Sequence, residues 1–176
     1  CTLTPRNVGE SQVRGLEAAL QVRALEHFDW GLNLALTDSE NLETDAAVAG
    51  NQLPRIPTLA ANNELSLNWR EQITLGHQWS YVDGNYWDAT NWYRASARSL
   101  HSAFVQVRPP QRALAVELAV QNLTNQVTEA APRNPLDPSD DSTITQSITD
   151  FVGYPLPGRT WLVSLRWTAQ PKVGAT

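Results

Sequence analysis

The sequence has no methionine, a single cysteine, and no uninterrupted apolar run of the ~18 residues that a membrane-crossing helix requires. The missing apolar run excludes a helical membrane protein. The lone Cys1 excludes an internal disulfide framework and a cysteine zinc cluster. Basic residues are also few. There are 13 Lys and Arg against 18 Asp and Glu, a formal charge of -5, so the basic patch of a nucleic-acid binder is lacking. No glycine-rich phosphate loop, nucleophile elbow or zinc-type His/Glu helix occurs, and neither an enzyme nor a bound cofactor is expected. With no methionine and a first residue that is Cys1, the chain is expected to be a piece of something longer, although 176 residues would suit one domain.

Alternation fills most of what is present. Leu16, Ala18, Leu20, Val22 and Ala24 fall on one side of an extended chain, with Glu17, Gln21 and Arg23 on the other. Trp30, Leu32, Leu34 and Leu36 repeat the pattern, as do Leu65, Leu67 and Trp69. So do Ile73, Leu75, Trp79 and Tyr81, then Leu114, Val116, Leu118 and Val120, and finally Trp161, Val163, Leu165 and Trp167. A period of two predicts strands with one apolar and one polar face. Residues 93–107 read as a further strand that alternates less cleanly, with Leu100 and Phe104 on the side of Ser102. The expected fold is all-β: an antiparallel meander of about seven long strands. Strands of ~9–11 residues suit a tilted transmembrane barrel.

The connections alternate in length. Short turns are expected at residues 26–29, 70–71 and 108–112, the last holding Pro109 and Pro110, which cannot donate ladder hydrogen bonds. Longer links span residues 43–55, 83–92 and 128–157. Short turns at one end and long loops at the other are the asymmetry of an outer-membrane barrel. The tryptophans agree: Trp30, Trp69, Trp87, Trp92, Trp161 and Trp167 lie toward strand ends or in adjoining loops, where aromatic girdles sit. Charges of both signs on the polar faces would point into a watery lumen. Two rival architectures fit the alternation as well. One is a complete eight-stranded barrel that uses residues 1–8 as a strand, and the other is a soluble β-sandwich or lipocalin-like binding module.

Four local patterns, in order, resemble the TonB-dependent outer-membrane receptor family. NVGESQVRGLEAAL at 7–20 resembles its Asn-x-Gly … Gly-Val-Glu strand. GNQLPRIPTLAANNELSLNW at 50–69 resembles its Gly-x-x-Leu-Pro-x-x-Pro return from an external loop. LAVQNLTNQV at 118–127 and GYPLPGRTWLVSLRW at 153–167 resemble its Asn-Leu-Thr-Asn strand and its closing Pro-Gly-Arg strand. The resemblance implies that residues 1–176 are the C-terminal segment of a receptor β-barrel in the bacterial outer membrane. It implies as partners outer-membrane lipid, the remainder of the same barrel and an N-terminal plug, through which a TonB complex acts. The cargo it implies is a scarce nutrient, most often a ferric siderophore. The chain departs from the family where Trp167 is followed by residues 168–176, since the family ends on an aromatic residue of its last strand.

Within that frame the candidate ligand-contact residues are Tyr86, Trp87, Trp92 and Tyr93, whose rings at a barrel mouth could stack on a planar chelate or a sugar. Aromatic rings at that level also serve as the upper girdle, which is their commoner role. His27, His77 and His101 fall in different strands or turns, so no metal site is expected. His77 is discordant, on the apolar side of its strand, and His101 is free to face the lumen. Asp137, Asp140 and Asp141 read as a solvated acidic loop. Asn122, Leu123 and Thr124 match a glycosylation acceptor by chance inside a strand.

Overall fold

Alternation becomes strand wherever it was expected. The computed structural model describes residues 9–24, 27–70, 72–110, 113–127, 129–131, 154–155 and 157–167. The strands are β1 (Ser11–Ala24), β2 (Phe28–Asn41), β3 (Leu59–Trp69), β4 (Ile73–Val82), β5 (Arg98–Val107), β6 (Leu114–Gln121), β7 (Glu129–Ala131), β8 (Tyr154–Pro155) and β9 (Thr160–Trp167). A seven-stranded antiparallel sheet runs in the order β1-β2-β3-β4-β5-β6-β9, and β7 pairs with β8 in a separate ribbon.

Register carries the apolar face across the whole sheet without a slip. Leu20 lies opposite Leu32, Trp30 opposite Leu65, Leu67 opposite Leu75, Leu75 opposite Val105, Val105 opposite Leu118 and Leu118 opposite Val163. The opposite face joins Arg23 to Asp29, Glu64 to Gln78, Gln78 to Ser102 and Gln106 to Glu117. Cross-strand polar contacts form there: Arg23 Nε to Asp29 Oδ1 at 2.6 Å and Gln106 Nε2 to Glu117 Oε2 at 3.1 Å.

A single layer has no interior of its own. Among the described residues the buried apolar side chains are only Leu53, Ala61, Ala95 and Val120, while Leu16 is 67% exposed and Leu165 71%. Transfer of such surface out of water is worth about 25 cal/mol per Å², so a continuous exposed apolar face demands a cover. Neither a second sheet nor a helix supplies it among the described residues, which does not favour the soluble sandwich. No helix is long and apolar enough to cross a membrane, a test that does not bear on strands.

The turn end and the loop end are distinct. At one end β1 follows into β2, β3 into β4 and β5 into β6 through short connections. Neighbouring turns are tied there by Asn68 N–H to the His27 carbonyl at 2.7 Å and Arg108 N–H to the Gln72 carbonyl at 2.6 Å. From β2 to β9 the turns step progressively along the sheet. Phe28, Leu67, Leu75, Val105, Leu118 and Val163 share one rung, yet Phe28 begins its strand and Leu118 lies well inside its own. The strands are therefore tilted relative to the line of turns, as barrel closure requires.

Three expectations change. The strand expected over residues 93–107 begins only at Arg98, because residues 93–95 pair within a loop instead. The link expected over residues 128–157 contains the short β7–β8 ribbon; Asp137, Asp140 and Asp141 lie outside the described residues, as do residues 1–8 and 168–176. His101 sits on the apolar face with His77 rather than on the lumen side. The misplacement has a cause in the sequence. Leu100 and Phe104 are apolar residues on the polar face, so the parity of β5 cannot be read from hydrophobicity.

Phe104 has a reason to be on that face. It lies opposite Gly76, and a Cβ built on Gly76 would overlap the Phe104 ring. The ring covers backbone that a glycine leaves bare, an arrangement that pins register in sheets. Gly76→Val is therefore expected to displace the ring and cost about 1–3 kcal/mol. Pairing it with Phe104→Ala should recover part of the loss. Urea unfolding of the folded barrel, followed by tryptophan fluorescence, measures both.

Candidate functional site

All four aromatic candidates lie on one loop, residues 83–97, which joins β4 to β5. The loop folds back on itself as a small ladder. Tyr86 bridges Arg94, Trp87 N–H donates to the Tyr93 carbonyl at 2.9 Å, and Ala95 N–H donates to the Asn85 carbonyl at 2.8 Å. Residues directly opposite in an antiparallel pair share a face. Trp87 thus lies beside Tyr93, and Tyr86 beside Arg94. Trp92, next to the tip, is 69% exposed. The structure brings the four together but divides them between two faces and a tip.

The tip is built by Asp88 and Asn91, neither of which stands out by periodicity. Asp88 is buried, and its carboxylate accepts the backbone N–H groups of Tyr93 at 2.8 Å and Trp92 at 3.1 Å, together with the Thr90 hydroxyl. Burial pushes its pKa upward, but the hydrogen bonds from Thr90, Tyr93 and Trp92 outweigh that push and hold it below the usual aspartate value. Asn91 adopts φ of 58°, a left-handed conformation that Asn tolerates better than most residues. The cue available in the sequence was Asp-Ala-Thr-Asn, a turn-forming run of short polar residues.

A second loop, residues 42–58 between β2 and β3, braces this tip. The Asn91 side chain accepts Gln52 N–H at 2.9 Å and donates to the Gln52 carbonyl at 2.8 Å, standing in for a strand partner. Asn51 donates to the Ala89 carbonyl at 2.9 Å, and Arg55 N–H to the Tyr86 carbonyl at 2.6 Å. Leu53 is buried beneath, its N–H 3.3 Å from the Ser39 hydroxyl. Pro54 and Pro57 thus belong to a loop that is packed, not merely spanning. A pocket of about 320 Å³ lies at the base of the first loop, lined by Asp83, Gly84, Arg94, Ala95, Ser96 and Ala97. Arg94 was not among the residues singled out in the sequence.

The Asn-Leu-Thr-Asn run forms a corner just past β6. Asn122 and Asn125 have φ of 50° and 54°. The Asn122 amide donates to the Gln126 and Pro157 carbonyls at 2.9 and 3.1 Å, and its oxygen accepts Gln126 N–H at 2.9 Å. Asn125 Oδ1 accepts Arg159 N–H at 2.9 Å. These asparagines tie the end of β6 to the start of β9. Asn122 is buried with its amide engaged, which disposes of the glycosylation match.

A tilted antiparallel sheet with one apolar and one polar face, tight turns at one end and braced loops at the other is part of the wall of a membrane-spanning β-barrel. The profile of the family described as TonB dependent receptor-like, beta-barrel matches residues 1–123, and the chain belongs to that family. Among solved structures it resembles the siderophore receptor PiuA from Acinetobacter baumannii, with 19% identity and a TM-score of 0.74 over 92% of this chain and 22% of that one. It resembles the ferric yersiniabactin uptake receptor FyuA from Yersinia pestis at 18% identity and a TM-score of 0.75, over 92% of this chain and 24% of that one. The copper transporter OprC is similar at 18% identity and a TM-score of 0.61, over 89% of this chain and 23% of that one. The chain thus spans less than a quarter of the length of these proteins. No curated protein matches it in sequence. The chain is outer-membrane barrel wall, its apolar face toward lipid and its polar face toward the lumen. Its turn end is periplasmic and its loop end external.

The Asp88 hub has a pH signature. Because its carboxylate is held below its unfolded value, its contribution is present above the ordinary aspartate range and is lost as pH falls through the lowered value. Protection of the amides of residues 85–95, taken relative to their intrinsic exchange rate at each pH, should stay constant from pH 8 to about pH 5 and fall only below about pH 4. Asp88→Ala leaves two backbone N–H groups without acceptors, and should loosen the tip at every pH by roughly 1–3 kcal/mol.

Proposed function

We propose that this chain forms wall and external loops of a TonB-dependent receptor that imports a scarce nutrient, a ferric siderophore being the cargo best supported. In this reading residues 1–176 are the C-terminal segment of the barrel. The other strands and the plug belong to the rest of the receptor, and energy arrives through a TonB complex acting on that plug. The segment's role is transport and not catalysis. Support comes from family membership and from the cargoes named for PiuA and FyuA.

The observation that carries the site assignment is the aromatic hairpin. Asp88 and Asn91 hold Trp87 beside Tyr93 and leave Trp92 open at the tip, with Tyr86 and Arg94 on the reverse. Rigid rings on a braced loop meet a bulky, partly planar chelate with little ordering cost. Arg94 adds a cation, which suits the negative charge common among ferric chelates. In iron-limited cells, uptake of labelled ferric siderophore should depend on the receptor. Trp92→Ala should weaken whole-cell binding roughly 3- to 10-fold, the loss of about 0.5–1.5 kcal/mol of ring contact. Normal binding by a receptor lacking residues 86–94 would overturn the site. Uptake of copper and not of ferric complexes would overturn the cargo.

A further inference from the structure

The loop of residues 83–97 keeps the register of the strands it joins. Val82 pairs with Arg98 at the end of the β4–β5 ladder, and Tyr86 bridges Arg94 four residues further along each arm. No residue is gained or lost between the two pairs, so the parity of the strands carries into the loop. Val82 and Arg98 lie on the lumen side, on the rung of Glu17, Ala35 and Ala60. Gly84, Tyr86 and Arg94 therefore face the lumen as well, and Trp87 and Tyr93 continue the outer side.

Glycine at position 84 makes room for the arginine. A Cβ built there would stand 3.2 Å from both Nε and Nη2 of Arg94 and 2.8 Å from the Ala95 carbonyl oxygen. The guanidinium is thus laid back along the arm of the loop, over bare backbone, in the wall of the pocket of about 320 Å³. That volume is at the lower end of small-molecule sites (~300–1,000 Å³), so the pocket suits one arm of a chelate and not a whole one.

Two more arginines stand close by. Arg55 N–H bonds the Tyr86 carbonyl, and Arg98 opens β5 on the lumen side. None of the three forms an ion pair among the described residues, where the one ion pair is Arg23 with Asp29 at the turn end. The loop's own carboxylates are engaged by other donors. Asp83 accepts Gly84 N–H at 2.7 Å and lies 3.5 Å from the Tyr81 hydroxyl, and Asp88 accepts the Tyr93 and Trp92 amides. Glu17, the acid on the Arg98 rung, is four strands away, roughly 19 Å. The chain carries 18 acidic residues against 13 basic ones, yet the lumen side of this loop holds cations without partners among the described residues. Such a field favours an anion that arrives from outside.

We propose that Arg94 is a specificity-determining residue. Seated on Gly84, it grips anionic oxygens on one arm of a ferric chelate, so that the receptor takes chelates of the catecholate or carboxylate kind and discriminates against neutral ones. The planar fork reaches two oxygens at once, the geometry of a carboxylate or of adjacent catecholate oxygens. The Tyr86 ring, directly opposite Arg94, gives the arm an apolar wall. A neutral trihydroxamate complex brings no charge to offset the water that the guanidinium gives up.

Anion selection at Arg94 rests on the proposed import of a ferric chelate, and the test separates the two. The full-length receptor carrying these strands is purified in mild detergent, and its folding is checked by heat-modifiable migration. Quenching of tryptophan fluorescence is then titrated with a ferric tris-catecholate, ferric citrate and a neutral ferric trihydroxamate. The wild type should bind one of the two anionic chelates at least 10-fold more tightly than the neutral one, and the tighter of the two identifies the arm. Arg94→Gln should weaken that chelate about 10-fold and bring the anionic-to-neutral ratio close to one. Arg94→Lys keeps the charge without the fork and should recover only part of the loss. Gly84→Ala displaces the guanidinium but leaves its charge, and should cost about 3-fold on the same chelate; it carries the comparison should Arg94→Gln fail to fold. A merely structural role for Arg94 would not move the ratio. Equal or tighter binding of the neutral chelate by the wild type, or an unchanged ratio in folded Arg94→Gln, overturns anion selection and leaves import standing. Binding of no ferric chelate overturns the import reading and anion selection with it.

Discussion

Water is missing from the hydrocarbon layer, so each strand that crosses it must find its hydrogen-bond partners on the neighbouring strand. The other features follow from that constraint. The ladder from β1 to β9 runs through the layer with a constant parity, because a slip of one residue would turn an entire polar face toward lipid. The same constraint allows the sheet to be one layer thick. Lipid covers Leu16, Leu75 and Leu165, and the lumen hydrates Glu64 and Gln106, so a packed interior is not needed. Phe104 over Gly76 is a small exception, an apolar contact placed on the watery side to hold β4 and β5 in register.

Outside the membrane the backbone again has access to water, and side chains take over the role of the ladder. Asp88 gathers the N–H groups of a tight tip, and Asn91 imitates a strand toward Gln52. Asn122 and Asn125 fasten the corner between β6 and β9. Short amides and carboxylates serve here because they reach neighbouring backbone without ordering a long side chain. The result is a pair of external loops rigid enough to present rings. In the function proposed, that order favours ligand capture, since an ordered loop loses less entropy when it binds.

On the apolar face of β4 and β5, toward the loop end of the sheet, Trp79, Ser99, His101 and His77 form a connected polar chain. A polar residue facing acyl chains is expensive alone and tolerable when hydrogen-bonded. Its pairing explains how His77 persists on the apolar face of β4, the position that looked discordant in the sequence.

Period-two alternation, the lengths of the connections and the placing of tryptophans were enough to specify strands, faces and environment, and four local motifs carried the family resemblance. Each is a local property: the pleat alternates residue by residue, and a short turn forces its two strands together. Residues 93–107 show the limit. With Leu100 and Phe104 on one side and Ala103, Val105 and Val107 on the other, hydrophobicity could not choose a parity for β5, and His101 was assigned no partner. Only pairing with β4 across a 15-residue loop set that register and brought His101 to His77. The tip of the aromatic loop was hidden for the same reason. Tyr86, Trp87, Trp92 and Tyr93 stand out by type, but Asp88, Asn91 and Arg94 acquire their roles from contacts that exist only once two loops, distant along the chain, are held side by side by the strands beneath them.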